Sequence, residues 1–70
     1  MVFKSLNDAA YSIIRTNILR GEYELGSRIR EDVLAEQISI SRTPVREAIN
    51  RLVADGIIIK QSQRGLYLID

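Results

Sequence analysis

The stretch from residue 41 to residue 49, Ser-Arg-Thr-Pro-Val-Arg-Glu-Ala-Ile, constrains this chain more than any other. It opens with a hydroxyl that can cap a helix, and it places Arg42 and Arg46 one helical turn apart before an apolar period begins. A helix with positive charge at its N-terminal end and one buried flank fits the major groove of DNA. The stretch therefore predicts a recognition helix, which the rest of the chain must hold in place.

The apolar positions define this helix over about 42–55. They follow the i, i+3, i+4, i+7 and i+8 spacing of an amphipathic helix: Val45, Ala48, Ile49, Leu52 and Val53. Ser41 is the expected N-cap, with Pro44 in the first turn, where its missing N–H costs nothing. Thr43 as the cap, with Pro44 directly after it, is the alternative. Gly56 follows the last turn.

A first helix is expected over about 6–20. Ser5 is a good N-cap, Asp8 stands at the capping-box position, and Gly21 can end the helix in the left-handed conformation. The expected core stripe is apolar at near-helical spacing: Leu6, Ala10, Ile13, Ile14 and Ile18.

A short extended segment at 28–30 and a second helix over about 31–38 should follow. Glu31 and Asp32 favour a helix N-terminus through the helix dipole, and the residues expected to face the core are Leu34, Ala35 and Ile38. Residues 39–41 are then expected to form a tight turn with the Ile40 side chain packed inward.

The C-terminal residues predict a β-hairpin. Residues 57–59 form a β-branched strand, 61–65 a polar turn containing Gly65, and 66–69 a second strand. Two helices joined by about three residues form a helix-turn-helix, and the hairpin adds a wing. The expected fold is α+β, a small winged helix-turn-helix of three helices plus a C-terminal hairpin, as one domain over 1–70.

Charge is unevenly distributed along the chain. The net charge is only +1, but residues 42–65 hold five cations and two anions, a net +3, and the remainder is −2. This asymmetry can steer a domain toward phosphate. A mixed solvated surface would also explain it.

Composition narrows the function class. The chain has no Cys and no His, so it offers no disulfide, thiolate or usual metal cluster, and neither a metal nor a cofactor is expected. No carboxylate pair suggests an acid–base site, so an enzyme is a distant possibility. No apolar run is long enough to span a membrane, and the start lacks the apolar stretch of a signal peptide. These features fit a cytoplasmic protein.

The candidate DNA-binding residues lie on the recognition helix and the wing: Ser41, Arg42, Thr43, Arg46, Asn50, Arg64 and Gly65. At 100° per residue, Arg42 and Arg46 are about 40° apart, at the edge of the apolar stripe. Arginine can donate two hydrogen bonds to guanine, and threonine can contact a base. Gly65 lets the wing backbone approach a groove, and a cation beside it suits a narrow minor groove.

Each of these residues also has a purely structural explanation. A Ser-x-Thr-Pro run starts helices in many proteins, and Gly65 can be a simple hairpin residue. Arg51 and Asp55 can form an i, i+4 pair worth a few tenths of a kcal/mol. The three tyrosines are expected at core edges, not as platforms for bases. The order of all the features together favours the DNA interpretation.

Nearly the whole chain, from about Ser5 to Ile69, resembles the N-terminal domain of the GntR family of bacterial transcription regulators. The specific combination is Leu-Ala-Glu at 34–36, Ser-Arg-Thr-Pro-Val-Arg-Glu-Ala at 41–48, Arg-Leu at 51–52 and Asp-Gly at 55–56. The Thr-Pro-Val-Arg-Glu run is similar to the FadR-like branch, which has an all-helical effector domain. The resemblance implies that Arg42, Thr43 and Arg46 contact bases and phosphates, and that Arg64 and Gly65 enter the minor groove.

Three features depart from the family pattern. Asp32 stands where the family commonly has an arginine that reaches DNA, so that contact is expected to be lost or reversed in sign. Ser39 stands where a glycine usually allows the turn, which predicts mild strain. The sequence stops at Asp70, where the resemblance implies a dimer-forming effector domain; either it is an excised domain or a stand-alone winged helix.

The leading expectation is a sequence-specific domain that binds double-stranded DNA at a pseudo-palindromic operator. A winged helix used for protein–protein contact, without DNA binding, is the alternative. The resemblance implies a homodimer for a full-length regulator. The 70-residue chain itself is expected to be a monomer or weak dimer, since its apolar stripes are used in one small core.

Overall fold

The computed structural model describes residues 5–69, and the elements of that part follow the predicted order. They are α1 (Leu6–Leu19), β1 (Arg28–Ile29), α2 (Glu31–Ile38), α3 (Arg42–Ala54), β2 (Ile58–Gln61), a 3-10 turn (Ser62–Arg64) and β3 (Gly65–Leu68). The α+β winged helix-turn-helix is therefore confirmed. The expected single domain also included residues 1–4 and 70, which lie outside the described residues.

The helix starts differ in how they are capped. The Ser5 hydroxyl accepts a hydrogen bond from the Asp8 N–H at 3.2 Å, as predicted. Ser41 precedes α3 with extended backbone, but its side chain makes no capping hydrogen bond. Thr43 lies inside α3, so the alternative that placed the cap there is wrong. Pro44 is the third residue of α3 and is buried against the core.

All three helices end in the same backbone motif. In each, the residue after the last turn has positive φ: 76° at Gly21, 57° at Ser39 and 81° at Gly56. After α2, the Ser39 N–H donates to the Glu36 carbonyl at 3.3 Å, and the Ile40 N–H donates to the Ala35 carbonyl at 3.1 Å. This is the Schellman arrangement. Ser39 carries a Cβ where the other two helices use glycine, which supports the predicted strain.

The core is one cluster shared by the helices and the base of the sheet. Its buried members are Ala10, Ile14, Ile29, Leu34, Ala35, Val45, Ala48, Ile49, Leu52, Ile58 and Leu68. The predicted stripe of α3 is confirmed, with Val53 half-buried. Of the expected α1 stripe, Ala10, Ile14 and Ile18 reach the core, whereas Ile13 does not pack in it and Leu6 in the first turn is 62% exposed.

The predicted hairpin is part of a three-stranded sheet. The strand order is β1-β3-β2, and both pairings are antiparallel. Arg28 stands opposite Tyr67, and Ile58 stands opposite Leu68. The extended segment before α2 thus becomes the third strand, and β2 runs to Gln61, beyond the expected 57–59. Because an isolated hairpin is marginally stable in water, this third strand helps to hold the wing.

Candidate nucleic-acid interface

The N-terminal half of α3 divides into a buried and an exposed side. Pro44, Val45, Ala48 and Ile49 are buried, and the other side chains of this half face solvent. The predicted site residues on that exposed side are Arg42, Thr43, Arg46 and Asn50. The turn at 39–41 and helix α2 hold this end of α3 against the domain, so the exposed side is carried on rigid elements.

Glu31, the first residue of α2, joins the two arginines. Arg46 donates from Nε to Glu31 Oε2 at 3.0 Å and from Nη2 to Oε1 at 3.1 Å. Arg42 donates from Nε to the same Oε1 at 3.3 Å. One carboxylate therefore binds both arginines, and its contact with Arg46 has the bidentate geometry that makes such pairs strong.

The electrostatics follow from this geometry. The hydrogen bonds from Arg46, helped by the charges of Arg46 and Arg42, hold the pKa of Glu31 below its usual value, although partial burial opposes them. The same hydrogen bonds raise the pKa of Arg46 further above neutrality. Glu31 and Arg46 are therefore both charged at neutral pH. Two guanidinium charges stand against one carboxylate charge, so the cluster keeps a positive excess of one.

A groove separates α3 from the wing. Its volume is about 540 Å³, and Arg46 and Asn50 line it on the helix side. The wing lines the opposite wall with Lys60, Gln61, Ser62, Gln63, Gly65 and Leu66. Glu31 lies at one end. Ile49 and Leu66 give the groove an apolar floor, and each wall carries one cationic side chain, Arg46 on α3 and Lys60 on the wing.

Two contacts fix the shape of the wing tip. The Tyr67 hydroxyl donates to the Arg64 carbonyl oxygen at 3.0 Å, across the 3-10 turn. Gly65 has φ of 102°, and a Cβ at this position would lie 3.2 Å from Nε of Arg28. Gly65 therefore serves both the turn and the close approach of the Arg28 side chain from β1.

The structure brings some of the predicted site residues together and leaves others apart. Arg42 and Arg46 meet at Glu31, while Arg46, Asn50 and Gly65 share the groove. Arg64 lies in the exposed 3-10 turn and does not line that groove. Ser41 and Thr43 are exposed at the start of α3, outside it.

The opposite end of α3 corrects an expectation. Arg51 does not pair with Asp55; its Nη1 donates to Asp8 of α1 at 2.9 Å, and its guanidinium stacks 3.9 Å from the centre of the Tyr11 ring. Asp55 instead accepts a hydrogen bond from the Tyr11 hydroxyl. Packing of α1 across α3 brings these groups together, which the i, i+4 spacing could not show. The Asp8 carboxylate therefore forms a salt bridge that joins α1 to α3.

Sequence reasoning missed Glu31 and Arg28 as parts of this surface. Glu31 is 11 and 15 residues from the arginines that it binds, and it was interpreted only as a helix-start residue. Arg28 reaches Gly65 through the pairing of β1 with β3. Both contacts depend on tertiary packing. The one available signal was a carboxylate at the start of the helix preceding two arginines.

Asp32, the other acidic residue at the start of α2, behaves differently. Its carboxylate contacts Arg30 at 3.4 Å and accepts a hydrogen bond from the N–H of Val33 at 2.9 Å. It makes no salt bridge with Arg42 or Arg46 among the described residues. Two adjacent carboxylates therefore have different partners.

The sequence profile of the bacterial regulatory proteins of the gntR family matches residues 6–68. The chain belongs to this family. The match covers both helices of the helix-turn-helix, the turn and the wing, so the gntR domain and the described structure coincide almost residue for residue.

Individual transcription regulators are also similar in sequence to this gntR chain. The chain is 34% identical over 65 residues to the HTH-type transcriptional regulator BphR of Paraburkholderia xenovorans (strain LB400), covering 93% of this chain and 26% of BphR. It is 45% identical over 42 residues to the Nta operon transcriptional regulator of Aminobacter aminovorans, covering 60% of this chain and 20% of that protein. These relatives are named as regulators and not as enzymes.

A solved structure shows the same architecture. Lar, which controls expression of the Listeria monocytogenes agr system, superposes with a TM-score of 0.91 at 33% identity. The superposition covers 100% of this chain and 33% of Lar. The gntR chain thus spans about a fifth to a third of the length of these three proteins.

Residues 5–69 contain neither a membrane-spanning helix nor a cluster of metal ligands. No helix in that part combines the length and apolarity needed to cross a membrane. Nor does that part bring together three or more side chains of the His, Cys, Asp and Glu types in a way that could hold a metal ion.

Proposed function

We propose that this chain is the sequence-specific, double-stranded DNA-binding domain of a bacterial transcription regulator. The observation that carries the proposal is the exposed pair Arg42 and Arg46, held at the N-terminal end of α3 beside a cationic groove. Exposed arginines on a rigid helix suit guanine in the major groove. Membership of the gntR family supports the same function.

The parts of the domain have separate roles in this proposal. α3 enters the major groove, with Arg42, Thr43, Arg46 and Asn50 facing bases or phosphates. Ser41 stands at the start of α3, where N–H groups and the helix dipole favour a phosphate. The wing tip, with Arg64 and Gly65, lies at the minor groove, where a cation is attracted by the narrow groove's potential.

A salt titration tests DNA binding directly. Binding to a random-sequence duplex should weaken steeply as salt rises, with log K linear in log salt, because bound cations release counterions from the phosphates. A flat response would favour the alternative of a winged helix used for protein–protein contact. The cationic side chains Arg46 and Lys60, which face each other across the groove, favour the DNA proposal over that alternative.

The regulator is proposed to act in the cytoplasm as a homodimer on a pseudo-palindromic operator, with this chain alone a monomer or weak dimer. One domain then covers one half-site. Fusion to a dimerising module should tighten binding to a two-half-site duplex by about 10²–10⁴-fold and leave single half-site binding unchanged. Nanomolar binding of the unfused chain to one half-site would show that dimerisation is unnecessary.

A further inference from the structure

We propose that Glu31 is a positioning residue that sets DNA selectivity by holding Arg42 and Arg46 from behind. The inference rests on the proposed function and concerns how its two main arginines are aimed. Glu31 contacts both of them and belongs to α2, not to the recognition helix. Its action on DNA is through the arginines.

The burial of the three side chains places Glu31 behind the arginines. The Glu31 side chain is 21% exposed, against 66% for Arg42 and 59% for Arg46. A DNA surface approaching α3 therefore meets the guanidinium groups before it meets the carboxylate. Glu31 can stay bound to the arginines while they contact DNA.

The hydrogen bonds leave donors available for DNA. A guanidinium has five N–H donors; Arg46 gives two of them to Glu31, and Arg42 gives one. Glu31 does not use the Nη1–Nη2 edge of Arg42 or the Nη1 group of Arg46. A guanine needs only one such edge to accept two hydrogen bonds. Fixing the other edge removes rotamer freedom that would otherwise be lost on binding.

The Glu31 carboxylate also weakens nonspecific binding, in which the arginines contact only phosphates. Its charge offsets one of the two guanidinium charges in the cluster, so attraction to any phosphate backbone is reduced. A base contact depends on the direction of the guanidinium, whereas a random phosphate contact depends mainly on charge. Glu31 therefore favours base-specific binding over nonspecific binding in two ways, through geometry and through charge.

Two variants separate geometry from charge. Glu31→Gln keeps the shape and removes the charge, while Glu31→Asp keeps the charge and shortens the reach. Asp32→Asn is the matched control, since it removes a charge from the neighbouring residue, which contacts Arg30 and not the α3 arginines. The probes are a duplex selected by the wild-type chain from a randomised library and a random-sequence duplex of equal length.

The expected result is a loss of selectivity in both Glu31 variants. The ratio of selected to random affinity should fall roughly 5-fold or more, within the range of a weakened bidentate base contact. Glu31→Gln should tighten random-duplex binding several-fold at low salt, and Glu31→Asp should not. Asp32→Asn also removes a negative charge near the DNA, so it should tighten selected and random binding by the same factor and keep their ratio, because Asp32 contacts Arg30 and not the α3 arginines. In ¹⁵N spectra of the free protein, the Nε–H signals of Arg42 and Arg46 should shift in the Glu31 variants only.

Several outcomes would overturn the inference. They are equal changes in selected and random affinity in Glu31→Gln, an unchanged ratio in both variants, or the same loss in Asp32→Asn. If Glu31→Gln does not fold, the inference is tested by the affinity ratio of Glu31→Asp and by its arginine Nε–H signals compared with those of the wild-type chain. A wild-type chain without salt-dependent DNA binding would refute the proposed function itself, and that result is distinct from wild-type binding with no effect of Glu31.

Discussion

The two ends of α3 use the same chemistry for different purposes. At the N-terminal end, Arg42 and Arg46 bind Glu31 by their edges and keep more than half of their side chains exposed. At the C-terminal end, Arg51 binds Asp8 through Nη1 and places its guanidinium face on the Tyr11 ring. Its carboxylate partner belongs to α1, so this second cluster fastens two helices together.

The difference shows that salt bridges do not by themselves locate a binding surface. Both ends contain arginines paired with carboxylates, yet only one end leaves donor groups aimed at a groove. At the other end the guanidinium face is covered by an aromatic ring, a contact worth about 0.5–1 kcal/mol at exposed sites. The surface available for recognition depends on which edges of the arginines remain unused.

The largest expected effect comes from removing one arginine at each end. Arg46→Ala should weaken binding to the selected duplex roughly 5- to 150-fold, because a bidentate base contact is lost, and should barely change folding. Arg51→Ala should lower the melting temperature and leave selectivity unchanged. Equilibrium DNA binding and thermal melts of the two variants would measure this contrast.

Two results would contradict the contrast for Arg46. Unfolding of Arg46→Ala would make that arginine structural, like Arg51. Equal weakening on selected and random duplexes would make it a phosphate contact.

A smaller effect is expected from the hydroxyl at the C-terminal end. Tyr11→Phe removes the hydrogen bond to Asp55 and should cost about 1 kcal/mol in the free energy of unfolding, with DNA selectivity retained. That hydrogen bond, with burial, raises the pKa of Tyr11 above its ordinary value near 10. Its contribution is therefore complete below pH 10 and is lost as pH rises through the folded pKa.

Denaturant unfolding as a function of pH would measure this. The wild-type chain should lose part of its advantage over Tyr11→Phe in the alkaline range. A constant difference between the two chains through that range would show that the hydroxyl does not stabilise the junction.

The backbone before the N-terminal end offers a third test. Ser39→Gly should raise stability by up to about 1 kcal/mol, because Ser39 has φ of 57° and a glycine avoids the Cβ strain there. Selectivity for DNA should not change, since the α3 arginines are untouched. A lower melting temperature would show that the serine is comfortable in the left-handed conformation.

The smallest expected effect is the acid dependence of the Glu31 cluster. Because the folded pKa of Glu31 is depressed, its contribution to stability is complete above its unfolded pKa, near 4.3, and is lost as pH falls through the folded value. Glu31→Gln should therefore lower the free energy of unfolding slightly near neutrality and flatten its fall below about pH 4, so that variant and wild type converge in acid. An acid limb identical to wild type would exclude stabilisation by these ion pairs.

Most of the fold could be predicted because its signals are local. The period of Val45, Ile49 and Leu52 predicts the buried flank of α3, and Gly21 and Gly56 mark helix ends that the structure confirms. The unexpected third strand is an exception. A two-residue extended segment becomes a strand only when β3 pairs with it, and that pairing joins residues far apart in the sequence.

The sequence by itself determined which side chains lie on the exposed side of α3, since Arg42 and Arg46 must share one side of any helix that buries Val45 and Ile49. Only the tertiary structure decided what holds those arginines. The packing of α2 on α3 places the Glu31 carboxylate against both guanidiniums, and the packing of α1 on α3 turns Arg51 toward Asp8. Helix periodicity determines which way each side chain of one helix points. A contact with a carboxylate of another helix forms only when the two helices pack together in the core.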